Sequence, residues 1–177
     1  MKNVKIRNII ICGFMGTGKS SVGKKLASMT GYHFLDMDAA IEEHEGMSIP
    51  DIFSTRGESA FRALETEMVK KIAGMERRVI ATGGGTVVNP DNLCVLKSCG
   101  VVVNLTASVP VIIERIGSGH GRPMLHDGDR IERVTSLLKK RESAYAQADI
   151  ACDTSQLNIE GVAREILSRL RESGFTL

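Results

Sequence analysis

Short apolar runs of strand length alternate with longer segments of helical periodicity along the chain. The apolar runs occupy residues 8–12, 32–36, 78–82, 101–105 and 148–152. Helices are predicted at 19–29, 58–73, 130–147 and 159–173, and another is predicted to begin at Ser108. In the first helix, Val22, Leu26 and Met29 recur at helical spacing and are expected to form its buried face.

Strands and helices that alternate in this way favour a parallel sheet with helices on both faces, which is an α/β fold of three layers. The 177 residues contain no internal repeat and no Pro/Ser-rich linker, so one domain spanning 1–177 is predicted. Two segments interrupt the alternation. Residues 38–65 are expected to insert two or three short helices, and residues 115–129 form a glycine-rich segment with arginines, a composition typical of a functional loop.

The first predicted strand runs directly into GFMGTGKSS, residues 13–21. The spacing Gly13-x-x-x-x-Gly18-Lys19-Ser20, between a strand and a helix, is the P-loop pattern. Its glycines let backbone N–H groups and the helix N-terminus surround phosphate oxygens. The lysine is expected to reach the β- and γ-phosphates, and the serine hydroxyl to reach Mg²⁺. The motif predicts a nucleoside triphosphate site but does not identify the phosphoryl acceptor.

The second strand ends in FLDMD, which places Asp36 and Asp38 near the P-loop at the carboxyl edge of the sheet. Residues two apart on a strand share a face, so both carboxylates can point toward the same phosphates and metal. The alternative is a solvated strand end at which Asp38 caps the next helix. The chain has neither the DxxG nor the NKxD pattern of a switch GTPase.

Two further motifs suggest an acceptor site. In FRALE, Arg62 and Glu65 lie three residues apart on a face that differs from the face of Phe61, although an exposed helical arginine is often only solvated. In ATGGGTV, three consecutive glycines follow the third strand. Because each glycine costs backbone entropy, a plain turn would need only one, and the triplet indicates a close approach of backbone to ligand.

Composition narrows the possible partners. The chain has 23 Lys and Arg against 21 Asp and Glu, a formal net charge of only +2, so no broad positive field draws it to nucleic acid or to a membrane. The cysteines Cys12, Cys94, Cys99 and Cys152 lack zinc-site spacing and are expected to be buried thiols of a reducing cytoplasm. A cytoplasmic location is therefore expected. Nothing in the sequence suggests a large exposed apolar patch, so a monomer is expected.

The motifs GFMGTGKSS, FLDMD, FRALE, TGGG, RPML and RESAY occur in the order and approximate spacing of the shikimate kinases. The chain resembles that family from Ile9 to about Leu170. The resemblance implies a three-layer P-loop kinase fold with a five-stranded parallel sheet, a lid at about 116–127 and a substrate-binding helical insertion at about 38–65. It also implies Mg²⁺-dependent transfer of the ATP γ-phosphoryl group to the 3-hydroxyl of shikimate, a step of aromatic amino-acid biosynthesis.

The resemblance implies a role for individual residues at the nucleotide end. Arg115 is expected to lie on the adenine, with segment 153–158 on the other side of the pocket. Arg122 of the lid is expected to close over ATP and, with Lys19, to neutralise the moving phosphoryl group. Mg²⁺ is expected at Ser20 and Asp36. The full set of expected ATP contacts is Gly16, Thr17, Gly18, Lys19, Ser20, Ser21, Arg115 and Arg122.

At the acceptor end, the resemblance implies that Arg62 and Arg141 bind the substrate carboxylate, which suits the paired donors of a guanidinium. Asp38 is expected to orient the attacking hydroxyl and to take its proton late, as a loose phosphoryl-transfer transition state requires. The expected substrate contacts are Asp38, Arg62, Gly83, Gly84, Gly85 and Arg141. The expected catalytic residues are Lys19, Asp38 and Arg122.

Three alternatives share parts of the pattern. A gluconate kinase would have the P-loop without the combination of FRALE, TGGG and RESAY. A nucleotide kinase would need a second base pocket, and residues 38–65 contain few aromatic residues to build one. A non-catalytic nucleotide-binding protein would not need the arginines of an acceptor site.

Overall fold

The computed structural model describes residues 4–117 and 130–177. Its central sheet has five parallel strands in the order β3-β4-β2-β5-β6. These strands are β2 (Asn8–Gly13), β3 (His33–Asp36), β4 (Arg78–Ala81), β5 (Val101–Thr106) and β6 (Ile150–Asp153). A separate parallel pair joins β1 (Val4–Lys5) to β7 (Phe175–Thr176).

The helices lie between successive strands along the chain. They are α1 (Lys19–Thr30), α2 (Met37–Glu45), α3 (Ile49–Ala73), α4 (Pro90–Cys99), α5 (Val109–Ile116), α6 (Arg130–Tyr145) and α7 (Ile159–Glu172). A short 3-10 helix spans Thr86–Val88.

Side chains of the central strand β2 alternate between two apolar cores. Ile9 and Ile11 pack in the core formed with α1 and α7, whereas Ile10 and Cys12 pack in the core formed with the helices of the opposite face. Every residue of β2 is buried, as expected for a strand covered on both sides. The predicted three-layer α/β fold with a five-stranded parallel sheet is therefore confirmed.

Some local predictions were wrong. Met29 is 37% exposed and so does not belong to the buried face of α1. Cys94 is exposed, whereas the other three cysteines are buried. Helix α4 and the β1-β7 pair were not predicted. The insertion contains α2 and the first part of α3, which is interrupted at Gly57, where φ is 81° and ψ is 170°.

The parallel arrangement places the chemistry-bearing loops together. The P-loop follows β2, Asp36 ends β3, and the glycine triplet follows β4 after Thr82. Because β2, β3 and β4 run in the same direction, these three loops meet at the carboxyl edge of the sheet. Within residues 4–117 and 130–177, no helix is both long and apolar enough to cross a membrane.

Candidate active site

The P-loop has the backbone conformation that its glycines predict. Gly13, Gly16 and Gly18 have φ values of 134°, 78° and 90°. A Cβ at Gly13 would lie 2.3 Å from the backbone oxygen of Leu105, so a larger residue would push the loop away from the neighbouring strand. The N-cap residue of α1 is Gly18, which has no side chain to cap the helix. Its first-turn N–H groups are thus suited to bind phosphate oxygens.

The Lys19 side chain already lies against this loop. Its Nζ donates to the carbonyl oxygen of Phe14 at 3.0 Å, and the Thr17 hydroxyl donates to the same oxygen at 2.8 Å. The two donors hold the loop closed around Phe14 and keep the ammonium group beside the amides that would bind phosphate. A bound triphosphate offers Nζ stronger, charged acceptors at this place.

Ser20 and Asp36 form a pair of oxygen ligands beside the P-loop. The Ser20 hydroxyl donates to Asp36 Oδ2 at 2.6 Å, and Asp36 Oδ1 accepts from the backbone N–H groups of Asp38 and Ala39 at 3.1 and 3.4 Å. Asp36, rather than Asp38, therefore caps α2, and the alternative that gave Asp38 this role was wrong. A hydroxyl and a carboxylate fit Mg²⁺, which takes few protein ligands and completes its shell with phosphates and water.

Asp38 is a carboxylate in an unfavourable position. Its Oδ1 is buried and has no hydrogen-bond partner among the residues that the structure describes. Burial raises the pKa of Asp38 to about 6, the Lys19 charge opposes this shift, and Asp36, Glu65 and Glu42 add to it. A buried oxygen without a donor costs free energy. A substrate hydroxyl would supply that donor.

The glycine triplet makes room for the charged side chains of the site. A Cβ at Gly83 would lie 2.6 Å from Glu65 Oε1 and 2.8 Å from Asp38 Oδ1, and a Cβ at Gly85 would lie 2.4 Å from Arg62 Nη1. The sequence predicted that these glycines let backbone approach a ligand. In the structure, the lack of side chains at these glycines also lets the carboxylates of Glu65 and Asp38 and the guanidinium of Arg62 lie close to the backbone.

Two arginines flank the triplet. Arg62 Nη1 donates to Glu65 at 2.6 Å and its Nη2 to Glu58 at 2.9 Å. Arg141 is only 8% exposed, donates from Nη1 to the carbonyl oxygen of Gly84 at 3.1 Å, and lies 5.8 Å from the centroid of the Phe14 ring. Both guanidinium groups reach the same cleft and present positive charge to it.

Arg115 lies at the P-loop end of the cleft. From the end of α5, its guanidinium donates to the hydroxyl of Thr154 at 2.8 Å and to the Thr154 carbonyl at 2.7 Å. Thr154, Leu157 and Asn158 line the cleft beside it. The predicted pocket segment 153–158 and Arg115 are thus neighbours, and the guanidinium is held by hydrogen bonds although the residue is exposed.

The P-loop, the two aspartates, the glycine triplet and the three arginines described above line one cleft of about 890 Å³. Arg122 and most of the lid predicted at 116–127 lie outside the described residues. The predicted site residues that line the cleft are Gly16, Thr17, Gly18, Lys19, Ser20, Ser21, Asp36, Asp38, Arg62, Gly83, Gly84, Gly85, Arg115 and Arg141.

The sequence matches the family model described as shikimate kinase over residues 15–171. The chain belongs to the shikimate kinase family. The chain is therefore an ATP-dependent kinase that acts as a shikimate kinase, and kinases of this family use ATP together with Mg²⁺. The shikimate kinase of Geobacter metallireducens is 47% identical over 165 residues, which cover 93% of this chain and 92% of that protein. The Geobacter sulfurreducens enzyme is 48% identical over 166 residues, covering 94% and 92%.

Solved structures agree with this assignment. The shikimate kinase of Acinetobacter baumannii in complex with shikimate has a TM-score of 0.92 and 34% identity, and the match covers 95% of this chain and 94% of that one. A gluconokinase from Sinorhizobium meliloti has a TM-score of 0.62 and 22% identity over 95% and 93% of the two chains. The gluconokinase therefore shares the fold, whereas the sequence places this chain among the shikimate kinases.

Sequence reasoning missed two polar residues in or beside this shikimate kinase site, Tyr145 and Glu42. The Tyr145 hydroxyl donates to the carbonyl oxygen of Gly84 at 2.6 Å, and burial raises the pKa of this tyrosine to about 12, so it stays a donor. Glu42 accepts from the backbone N–H of Ile49 at 2.8 Å and lines the cleft. The RESAY motif contained Tyr145, but nothing in the sequence marked Glu42.

Replacing Gly85 with alanine should raise the KM for shikimate about tenfold, because overpacking of this kind costs about 1–3 kcal/mol. The added Cβ would lie 2.4 Å from Arg62 Nη1 and would displace the guanidinium. Gly74→Ala is the matched control, since its nearest neighbour lies 3.8 Å away and its φ is −85°. Steady-state kinetics would contradict the prediction if the two variants had equal KM values.

Proposed function

We propose that this chain transfers the γ-phosphoryl group of ATP to the 3-hydroxyl of shikimate, with each step assigned to a side chain of the cleft. The observation that carries the assignment is the layout of that cleft. The P-loop lines one part of the cleft, and Arg62 and Arg141 flank the glycine triplet in another. Asp38 Oδ1, which has no partner among the described residues, lies beside Gly83.

At the nucleotide end, the amides of residues 16–21 and Lys19 Nζ bind the phosphates. Arg115, together with Thr154 and its neighbours, holds the adenine. Ser20 and Asp36 hold Mg²⁺, which supplies positive charge to the phosphate oxygens when it is bound. The support for this assignment is the open N-terminus of α1, the 2.6 Å Ser20–Asp36 contact and the position of Arg115 beside the P-loop.

At the acceptor end, Arg62 and Arg141 bind the carboxylate of shikimate. A guanidinium presents paired donors that match the two oxygens of a carboxylate, and a partly buried site strengthens such charge-assisted bonds. The glycine triplet supplies a surface without side chains between them. The support is that Gly84 lies against Arg141 and Gly85 lies against Arg62.

Asp38 orients the 3-hydroxyl and takes its proton as the new O–P bond forms. Proton transfer occurs late in a loose transition state, so a carboxylate with a moderately raised pKa is sufficient. Lys19 neutralises charge on the transferred group from the P-loop side. Arg122 is proposed for the same task, on the strength of the family motif RPML alone.

We further propose that residues 1–177 act as one kinase domain, and that the protein is a cytoplasmic monomer without nucleic-acid or membrane partners. The net charge of +2 supports the absence of nucleic-acid and membrane partners, and the four free cysteines support a reducing compartment.

A coupled ADP-release assay with shikimate, quinate, gluconate and AMP as acceptors tests the substrate. Shikimate should give the highest kcat/KM, and the product should be shikimate 3-phosphate. A reaction without acceptor is the control for ATP hydrolysis. Preference for gluconate or AMP would refute the acceptor assignment and leave the P-loop assignment intact.

A further inference from the structure

A short chain of buried polar groups lies behind Arg62. Glu65 is only 1% exposed, and each of its carboxylate oxygens has a donor: Oε2 accepts from Arg62 Nη1 at 2.6 Å, and Oε1 accepts from the Thr86 hydroxyl at 2.6 Å. Glu65 is thus held from two sides. One side is the guanidinium that faces the cleft, and the other is a neutral hydroxyl deeper in the protein.

Thr86 is itself rigidly placed. It is fully buried and begins the 3-10 helix, with its N–H donating to the carbonyl oxygen of Gly83 at 3.3 Å. Its own carbonyl oxygen accepts from Asn92 Nδ2 of α4 at 3.2 Å. These two bonds fix the backbone from which the side chain extends, and β-branching together with full burial leaves the hydroxyl few rotamers. A carboxylate bonded to a fixed donor loses its freedom to rotate.

We propose that Thr86 is a positioning residue for the acceptor site: its hydroxyl fixes the orientation of Glu65, and Glu65 in turn fixes the guanidinium of Arg62. The inference rests on the proposed function, in which Arg62 binds the substrate carboxylate. Arg62 has a second acidic partner, Glu58, whose side chain is 54% exposed and holds it weakly. The buried pair with Glu65 is therefore the contact that defines where the guanidinium lies.

Loss of the Thr86 hydroxyl would affect Glu65 strongly because the Glu65 carboxylate is buried. Without Thr86 as donor, Glu65 Oε1 would be a buried carboxylate oxygen with no partner among the residues now around it. The carboxylate would rotate to share both oxygens with Arg62 and draw the guanidinium away from the cleft. Substrate binding would weaken, because Arg62 must then be pulled back against a stronger ion pair.

Thr86→Val tests this inference, because valine has the shape of threonine without the hydroxyl. Hydrogen bonds to charged groups are strong enough to predict an increase in the KM for shikimate of about tenfold or more. The KM for ATP and kcat should change less than twofold. Thr86→Ser keeps the hydroxyl and should restore the KM for shikimate to near the wild-type value.

Val87→Ala is the matched control for packing. Val87 is the next residue of the same 3-10 helix and is 1% exposed, so its truncation disturbs the core without touching Glu65. It should lower Tm with the KM for shikimate unchanged. If the valine variant does not fold, Thr86→Ala replaces it. Alanine also lacks the hydroxyl and is smaller than threonine, and the same rise in the KM for shikimate is expected.

Three results would overturn the inference. The first is a KM for shikimate in Thr86→Val that is no higher than in Val87→Ala. The others are a rise in Thr86→Ser as large as that in Thr86→Val, and a rise in the KM for ATP as large as the rise in the KM for shikimate. A double-mutant cycle with Glu65→Ala adds an independent measurement, in which additive effects would refute coupling through Glu65. If the wild-type protein did not phosphorylate shikimate, the proposed function itself would be refuted. Failure of the Thr86 inference can therefore be distinguished from failure of the proposed function.

Discussion

Replacing Asp38 with asparagine should lower kcat by about 10²- to 10⁴-fold, the range by which general acid–base catalysis accelerates reactions. The amide keeps the size of the side chain but cannot accept the proton of the attacking hydroxyl. The same change should preserve or raise Tm. Asp38 Oδ1 is buried without a partner among the described residues, and burial raises the pKa of Asp38 to about 6, so the ionised side chain opposes folding at neutral pH.

Loss of activity together with unchanged or higher Tm separates a catalytic role from a structural one. Asp91→Asn is the control, since Asp91 is an exposed carboxylate in the first turn of α4. A coupled ADP-release assay gives kcat, and thermal unfolding gives Tm. A decrease in kcat of less than tenfold would mean that Asp38 orients the hydroxyl without accepting its proton.

Much of the fold could be predicted because its signals are local. Each strand of the central sheet is a short apolar run, and the predicted and observed bounds differ by two residues or fewer. The P-loop could also be located, since its glycines adopt positive φ values that other residues avoid. Helix α4 was missed because only Leu93, Leu96 and Cys99 mark its buried side, although Asn89 and Pro90 signal its start.

The acceptor site was only partly predictable, because it depends on contacts between distant segments. The motif FRALE indicated Arg62 and Glu65 on a face away from Phe61, but Glu65 is buried as Phe61 is, and its Oε1 accepts from Thr86, which lies 21 residues further along the chain. The spacing of Asp36 and Asp38 suggested that both carboxylates point from one face of a strand toward the same phosphates and metal. The structure gives them different environments: Asp36 accepts hydrogen bonds from Ser20 and the start of α2, whereas Asp38 Oδ1 has no donor among the described residues.

Replacing Arg62 with alanine should lower kcat/KM for shikimate by about 10²- to 10³-fold, because removing one partner of a buried charged pair costs about 2–5 kcal/mol. ATP binding should change less than twofold, since no P-loop residue is bonded to Arg62 in the described structure. Equilibrium titration with ATP measures the second quantity. Arg62→Lys should recover little activity, because an ammonium group cannot present the paired donors of a guanidinium.

Arg56→Ala provides the matched control for Arg62→Ala. Arg56 lies on the same helix before the interruption at Gly57, and it pairs with Glu45, with 44% of its side chain exposed. Truncation there removes an arginine and an ion pair without altering the cleft, so shikimate kinetics should stay within twofold of wild type.

If Arg62→Ala abolished ATP binding as well, α3 would support the whole cleft, and Arg62 could not be assigned specifically to the acceptor. If instead ATP bound normally while shikimate turnover was lost, the two ends of the cleft would be energetically separable, as expected from the placement of Lys19 in α1 and Arg62 in α3.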